Sequence, residues 1–368
     1  MLKGFYLGPL FLAWSDLLLT LLLLCAILPL GWFYGRRLAH RGLDLNTAFE
    51  KGPRAWIVLL GFLGLCIMIG VIYRLPHAFS PGLLALLEPA SWLAAKSGAV
   101  FLAAMAVPLG KGRRREVVTA SALGSFCVLA VIGLQGWFLR PVSQTAIYVR
   151  RGQDGSILQS TSVTCTAAAF ANALRLFGIE ASEAESARIL GTRDSGTNDV
   201  QLLSGVRHYG LFGHYVSIRP EHVVRMNRPA IVSVDLRVIL HSILVYGHDK
   251  HGNLLIVDPI SGKGKLTAKQ YSGKLKPAEG VVLTDRPLPE ITPDSPLFLL
   301  HRVQDILHKE GYLATVSDAY DEAMTEAVKA FQSHWQIPAS GHIDTQTWLL
   351  LTGPSEPVRT MPARLAQS

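Results

Sequence analysis

Four apolar stretches in residues 1–140, Leu12–Tyr34, Trp56–Tyr73, Trp92–Gly110 and Val117–Leu139, constrain the fold of this chain more than any other feature. A bilayer core of about 30 Å takes about 20 helical residues to cross, and each stretch is near that length. The chain of 368 residues is 49% hydrophobic and only 17% charged, too apolar for an average soluble protein. Four transmembrane helices are expected. Lys96 falls in the first turns of the third stretch, where it can snorkel to the interface, and Asp16 and Pro29 lie near the ends of the first. A cleavable signal peptide fits the start poorly, because only Lys3 precedes the run and Arg36 and Arg37 follow it.

A net charge of +8 can signal nucleic-acid binding, but its placement argues for topology. Residues 1–140 hold 13 Lys and Arg against 5 Asp and Glu, whereas residues 141–368 hold 22 of each. Arg36, Arg37, Arg41, Lys51 and Arg54 separate the first two stretches, and Lys111, Arg113, Arg114 and Arg115 the last two. The opposite side carries Lys3, Arg74, Lys96 and Arg140, nine against four, so both basic loops belong in the cytoplasm and both termini outside it. Pro76–Ser91 then reads as a short interfacial connection.

Residues 141–368 change pattern to short strands and amphipathic helices. Thr166–Phe177, Ala181–Leu190 and Asn198–Tyr209 read as helices, and Tyr215–Ile218, Ala230–Val234, His241–Tyr246 and Leu254–Val257 as strands, an α+β domain over 141–285. Residues 286–296, with four Pro in eleven positions, read as a semi-rigid linker of at most about 40 Å reach. A helical block over 297–353 and an unstructured tail over 354–368 complete a multi-domain chain. No GxxxxGK[ST] occurs, so no nucleotide is expected, and no nucleic-acid partner either.

Cys25, Cys66 and Cys127 fall inside the apolar stretches, leaving Cys165 as the lone thiol of the second half. With no second Cys beside it, neither a disulfide nor a thiolate metal pair is available, and neither metal nor cofactor is expected. Taken alone, such a Cys is more often an inert core residue. Its surroundings shift that reading. Cys165 stands at a helix N-terminus, where unpaired N–H groups favour a thiolate, and Gln159 can offer an amide donor to an oxyanion. His241 begins one strand and Asp258 ends the next, so adjacent antiparallel strands can set the carboxylate beside the imidazole. His248, followed by Asp249, competes with His241; His208, His214, His222 and His251 read as surface or structural.

The order Gln159, Cys165 at a helix start, His241 on an apolar strand and Asp258-Pro259 resembles the papain-like bacteriocin-processing cysteine peptidases, which remove double-glycine leader peptides. Gly196-Thr197-Asn198 and Tyr246-Gly247 match that family too, over about residues 143–285. The resemblance implies Cys165 as nucleophile, His241 as general base and acid, Asp258 as its orienting residue and Gln159 as oxyanion donor. Thr166 stands where the family has Gly, and is expected to crowd the cleft floor and alter double-glycine specificity.

In residues 297–353 the periodic Leu300, Val303, Leu307, Ala327, Val328, Phe331, Trp335, Ile337, Trp348 and Leu351 form a three-helix core. Val303-Gln304, Gly311-Tyr312, Phe331-Gln332 and the closing Gly341, Ile343, Asp344, Thr347 and Trp348 resemble the helical peptidoglycan-binding module. Its ligand contacts are placed around Tyr312, Tyr320 and Asp321, where a groove between helices can form. Together the parts suggest a peptidase in the bacterial cytoplasmic (inner) membrane, its soluble half extracytoplasmic. The lipid bilayer, peptidoglycan and a peptide or protein substrate are its expected partners. An inactive envelope protein that anchors or senses peptidoglycan is the alternative, and a transport role has thin support.

Overall fold

The computed structural model describes residues 9–44, 47, 53–74, 80–110, 114–235, 240–267, 269–270, 278–357 and 359–360. It divides into Met1–Arg140 and Pro141–Ser368.

The first unit contains α1 (Pro9–His40), α2 (Pro53–Arg74), α3 (Pro81–Leu109) and α4 (Arg114–Phe138). Among the described residues, Pro81–Leu109 and Val117–Phe138 are long and apolar enough to cross a bilayer, and Leu60–Tyr73 is a shorter apolar helix. The side chains of residues 9–21 and 53–59, on which much of the first two expected spans falls, lie outside the described residues. Gly31 and Gly35, one turn apart on α1, face the backbone of Phe101 and Met105 on α3, where any Cβ would collide. Small residues at that spacing let two apolar helices approach closely. Two expectations need correction. Residues 81–91 are helix, not an interfacial connection: Ser80 caps α3 by accepting from the Leu83 N–H, and Pro81 occupies its first turn, where a missing N–H costs nothing. Lys96 is 6% exposed, buried within this unit instead of snorkelling out of it.

The second unit is built on a six-stranded antiparallel sheet. Its strands are β3 (Phe212–Ile218), β4 (Ala230–Asp235), β5 (Leu240–His248), β6 (Leu254–Asp258), β7 (Gly262–Leu266) and β8 (Ala278–Thr284), in the spatial order β3-β8-β4-β5-β6-β7. A hairpin of β1 (Arg150–Arg151) and β2 (Ile157–Leu158) precedes it. One face of the sheet, through Ile231, Leu244, Val257, Val281 and Leu283, packs on Ala167, Phe170, Leu174, Leu202 and Val206. Those residues belong to α5 (Cys165–Arg175) and α7 (Asp199–His208); α6 (Glu183–Leu190) adds Ala187 and Leu190. Ser182 caps α6, and Asn198 with Gln201 forms a capping box on α7, so the Asn and Gln of this stretch serve helix initiation.

The alternate side chains Val232, Val234, Ile243, Val245 and Val282 face the other way, as strand geometry requires. They share one core with α8 (Pro220–Met226), α9 (Leu297–Lys309), α10 (Glu322–His334) and α11 (Thr345–Thr352). The C-terminal helices are therefore not held on a free tether. Ile291, midway along the Pro-rich segment, is 6% exposed and bridges to Ile343. Buried Arg228 donates to the Leu349 carbonyl (3.1 Å), Thr352 Oγ1 (2.9 Å) and Glu356 Oε1 (2.8 Å). His222 Nε2 meets the Trp335 carbonyl at 2.7 Å, and Gly353 sits so close to Arg225 and Met226 that no side chain fits. The start of the tail is ordered too: Arg359 pairs with Asp285 (2.6 Å) and lies over the Phe177 ring. β7 escaped sequence reading because Gly-Lys-Gly-Lys-Leu has no apolar alternation; it is an exposed, lysine-bearing edge.

Candidate active site

α5 owes its length to five alanines, all fully buried, whose small size lets the helix lie close on the sheet. Cys165 is its first residue, so the sulfur sits over the unpaired N–H groups and positive end of the helix. The preceding Thr164 does not cap the helix with its side chain; its Oγ1 instead meets Thr161 Oγ1 at 3.0 Å and donates to the Thr161 carbonyl at 3.2 Å.

His241, 3% exposed, is the second residue of β5 and pairs with Val234 of β4. Asp258 is the last of β6, next to Val257, which pairs with Leu244. This register brings His241 Nε2 to 2.8 Å from Asp258 Oδ1. With Nε2 taken, Nδ1 is the ring nitrogen left for Cys165, to which His241 is also hydrogen-bonded. Asp258 is held in turn: Oδ1 accepts from the Ile260 N–H (2.8 Å) and Oδ2 from Ser261 Oγ (3.1 Å).

The electrostatics follow from these contacts. Burial pushes the Cys165 thiol up, but the His241 hydrogen bond, the Ser242 backbone N–H, the His241 charge and the Thr166 hydroxyl together hold it below its ordinary 9.0. Burial pushes the His241 ring down, yet hydrogen bonds to Asp258 and Cys165 and their negative charge raise it from 6.5 to about 9. Asp258 is raised by burial and, on balance, lowered by His241, the Ile260 N–H and Ser261. These contacts favour the thiolate–imidazolium form of the pair over the neutral one. Such a sulfur can attack a carbonyl carbon, and the ring beside it can protonate a leaving amine.

Gln159 follows β2. Its backbone N–H donates to the Pro259 carbonyl (2.8 Å), and its side-chain Nε2 donates to the Thr161 carbonyl (2.8 Å), which fixes the amide plane and leaves the second N–H as the donor it can offer. Thr166 is 5% exposed; its hydroxyl meets Ser242 Oγ at 2.8 Å and also bonds to Cys165, so it lies against the nucleophile. His248, at the far end of β5, turns Nδ1 to the Asp249 carbonyl (3.1 Å) and shares nothing with Cys165. His214 and His222 are structural: burial, then Arg228, pushes His214 down to about 4.

Sequence reading missed the residues that hold the Gln159 segment from behind. Asn172, fully buried two turns along α5, accepts from the Ile157 N–H (2.9 Å) and donates to the Ile157 carbonyl (2.8 Å). Arg175 donates to the Gly155 carbonyl (2.8 Å), and Glu183 of α6 accepts from Ser160. The detectable signal was an Asn and an Arg on the face of a helix otherwise made of alanine.

In the C-terminal module Tyr312, Tyr320 and Asp321 each make contacts within the module. Asp321 caps α10 by accepting from the Met324 N–H (2.8 Å), the Tyr320 hydroxyl donates to the Gly341 carbonyl (2.6 Å), and Tyr312 packs edge-on against Phe331. The motif glutamines are structural as well. Gln304 accepts from the Ser317 N–H (2.7 Å), and Gln332 accepts from the Gly341 N–H (2.9 Å) and donates to the His342 carbonyl (2.7 Å).

Residues 154–276 match the Peptidase C39 family, and residues 300–351 match the putative peptidoglycan binding domain. Two uncharacterized proteins are similar to part of the chain. One, from Methanothermobacter thermautotrophicus, is 29% identical over 136 residues, 37% of this chain and 92% of the relative. The other, from Methanothermobacter marburgensis, is 28% identical over 121 residues, 33% of this chain and 82% of the relative. Among solved structures, a double glycine motif protease from an AMS/PCAT transporter, in complex with its leader peptide, is 19% identical over 38% of this chain and 94% of its own, with a TM-score of 0.31. The peptidase domain of Streptococcus ComA, a bi-functional ABC transporter, is 17% identical over 35% and 96%, with a TM-score of 0.32.

Proposed function

We propose that this chain, which carries a C39 cysteine peptidase domain followed by a peptidoglycan-binding domain, is a membrane-tethered peptidase that hydrolyses amide bonds at the bacterial envelope, outside the cytoplasm. The observation that carries this reading is Cys165 at a helix N-terminus, hydrogen-bonded to a His241 that Asp258 holds at 2.8 Å. Cys165 Sγ attacks the scissile carbonyl carbon, and the Gln159 amide with a backbone N–H holds the oxygen as it gains charge. His241 gives its proton to the leaving nitrogen, the C–N bond breaks, and an acyl-thioester remains. The neutral ring then takes a proton from water, whose oxygen attacks the thioester and releases the acid.

The reading of four crossings with both basic loops in the cytoplasm, supported by the charge distribution of residues 1–140, puts the peptidase outside, where a wall-binding module has its ligand. The packing of that module on the sheet gives the membrane-anchored cleft a set offset from any murein the module holds. The substrate is an exported peptide or protein, or a stem peptide of the wall itself.

The test is mass spectrometry of products from murein and from envelope protein extracts, comparing the purified wild-type chain with Cys165→Ala. Products present only with the wild type are expected, and identical product sets end the enzyme reading. For topology, a membrane-impermeant maleimide is expected to label Cys165 in right-side-out vesicles. Labelling confined to inverted vesicles would place the cleft in the cytoplasm.

A further inference from the structure

Glu183 is the first residue of α6, a position where an acidic side chain usually stays in water and favours the helix dipole. Here it is 4% exposed, and the cap of α6 is supplied by Ser182 accepting from the Glu185 N–H. Glu183 Oε1 accepts from the Ser160 N–H at 2.8 Å and from Ser160 Oγ at 3.0 Å, while its Oε2 is buried with no partner among the described residues. Burying a carboxyl group is costly, and this one spends its contacts on a single residue, the neighbour of Gln159. The rest of the segment is tied elsewhere: Ile157 to Asn172, Gln159 to Arg150, Pro259 and Thr161, and Thr161 to Thr164. Among the described residues, the tie at Ser160 comes from α6 alone.

We propose that Glu183 is a positioning residue: through Ser160 it fixes the Gln159 amide on the oxyanion side of the cleft. The inference rests on the peptidase reading above, and its test separates the two. The probe is a peptide aldehyde added to the full chain in detergent. The thiolate of Cys165 adds to the aldehyde carbon, the C=O pair moves to oxygen, and that oxygen takes the His241 proton, giving a neutral hemithioacetal beside Gln159. Binding is read as protection of Cys165 from iodoacetamide. Alkylation itself only displaces iodide from carbon, forms no oxyanion, and so reports the Cys165–His241 pair alone.

In Glu183→Ala the aldehyde concentration for half-protection rises about 10-fold or more, while alkylation rate and its pH dependence stay within about twofold. Glu183→Gln keeps an oxygen acceptor for Ser160 and recovers protection to within about threefold of wild type. Ser160→Ala, a milder change that deletes only the hydroxyl contact, weakens protection by about threefold and covers the case where Glu183→Ala does not fold. Unchanged protection in these variants overturns the proposal, as does alkylation falling in parallel with protection, since Glu183 would then act on the nucleophile or the whole fold. Slow alkylation of the wild type with an ordinary thiol pH profile overturns the peptidase reading instead.

Discussion

Replacing Cys165 with Ala is expected to abolish amide hydrolysis, a fall of roughly 10⁴-fold or more against the wild type. The substitution suits its position: α5 already holds five buried alanines, and Ala at its start extends a strong helix former. The fold is therefore expected to survive while the only atom able to form the acyl intermediate is gone. His241 loses its anionic neighbour but keeps the Asp258 hydrogen bond at 2.8 Å, so the ring stays in place. Product formation by purified chains, with circular dichroism as the control for folding, checks this. A residual rate within tenfold of the wild type would mean that the sulfur does not do the chemistry.

The second large effect concerns Asp258. Asp258→Asn keeps an oxygen for the Nε2–H of His241 but removes the negative charge, so kcat/KM is expected to fall by about 10- to 100-fold. The pH profile carries the sharper signature. The competent form, thiolate with imidazolium, is lost on the acid side as the lowered Cys165 thiol is protonated, and on the alkaline side as His241 deprotonates near 9. With a neutral acceptor in place of the Asp258 carboxylate, the alkaline limb moves down from about 9 toward the ordinary 6.5. Linkage has the same sign. Because the folded ring binds its proton more tightly than the unfolded one, its stabilisation is fully present below pH 6.5 and lost as the pH rises through about 9. That slope flattens in the variant. A profile of kcat/KM with an unmoved alkaline limb would remove Asp258 from the mechanism.

Much of the second half was legible because local chemistry and fold agree there. Ser182, Asn198 and Gln201 announce helix starts, and the apolar runs at 230–234 and 241–246 lie in strands β4 and β5. The nearness of His241 to Asp258 follows from two adjacent antiparallel strands, one entered at its start and the other left at its end. The docking of the C-terminal helices was not legible as such, although Ala-Ile-Val-Ser-Val in β4 carried the hint. A strand apolar on successive residues must be covered on both faces, and α5–α7 can cover only one. Reading the prolines of 286–296 as a spacer ignored Ile291, which needed somewhere to be buried. Glu183 carries no signal in the sequence that sets it apart from other first-turn acids, and Tyr320 and Asp321 read as groups around a binding groove. Tertiary contacts show that Glu183 and Tyr320 hold partners within the fold, whereas Asp321 is an exposed helix cap. Residues 81–91 contain two prolines, yet Pro81 starts α3 and Pro89 lies within it, so the segment is helix.

The rate of iodoacetamide alkylation at Cys165, followed from pH 4 to 10 on the full chain, measures the state of the sulfur directly. Alkylation that stays fast near pH 6 and slows sharply in His241→Ala is the expected result, because the imidazolium holds the thiolate. A rate that climbs only above pH 8, the same in both chains, would show an ordinary thiol with no base beside it.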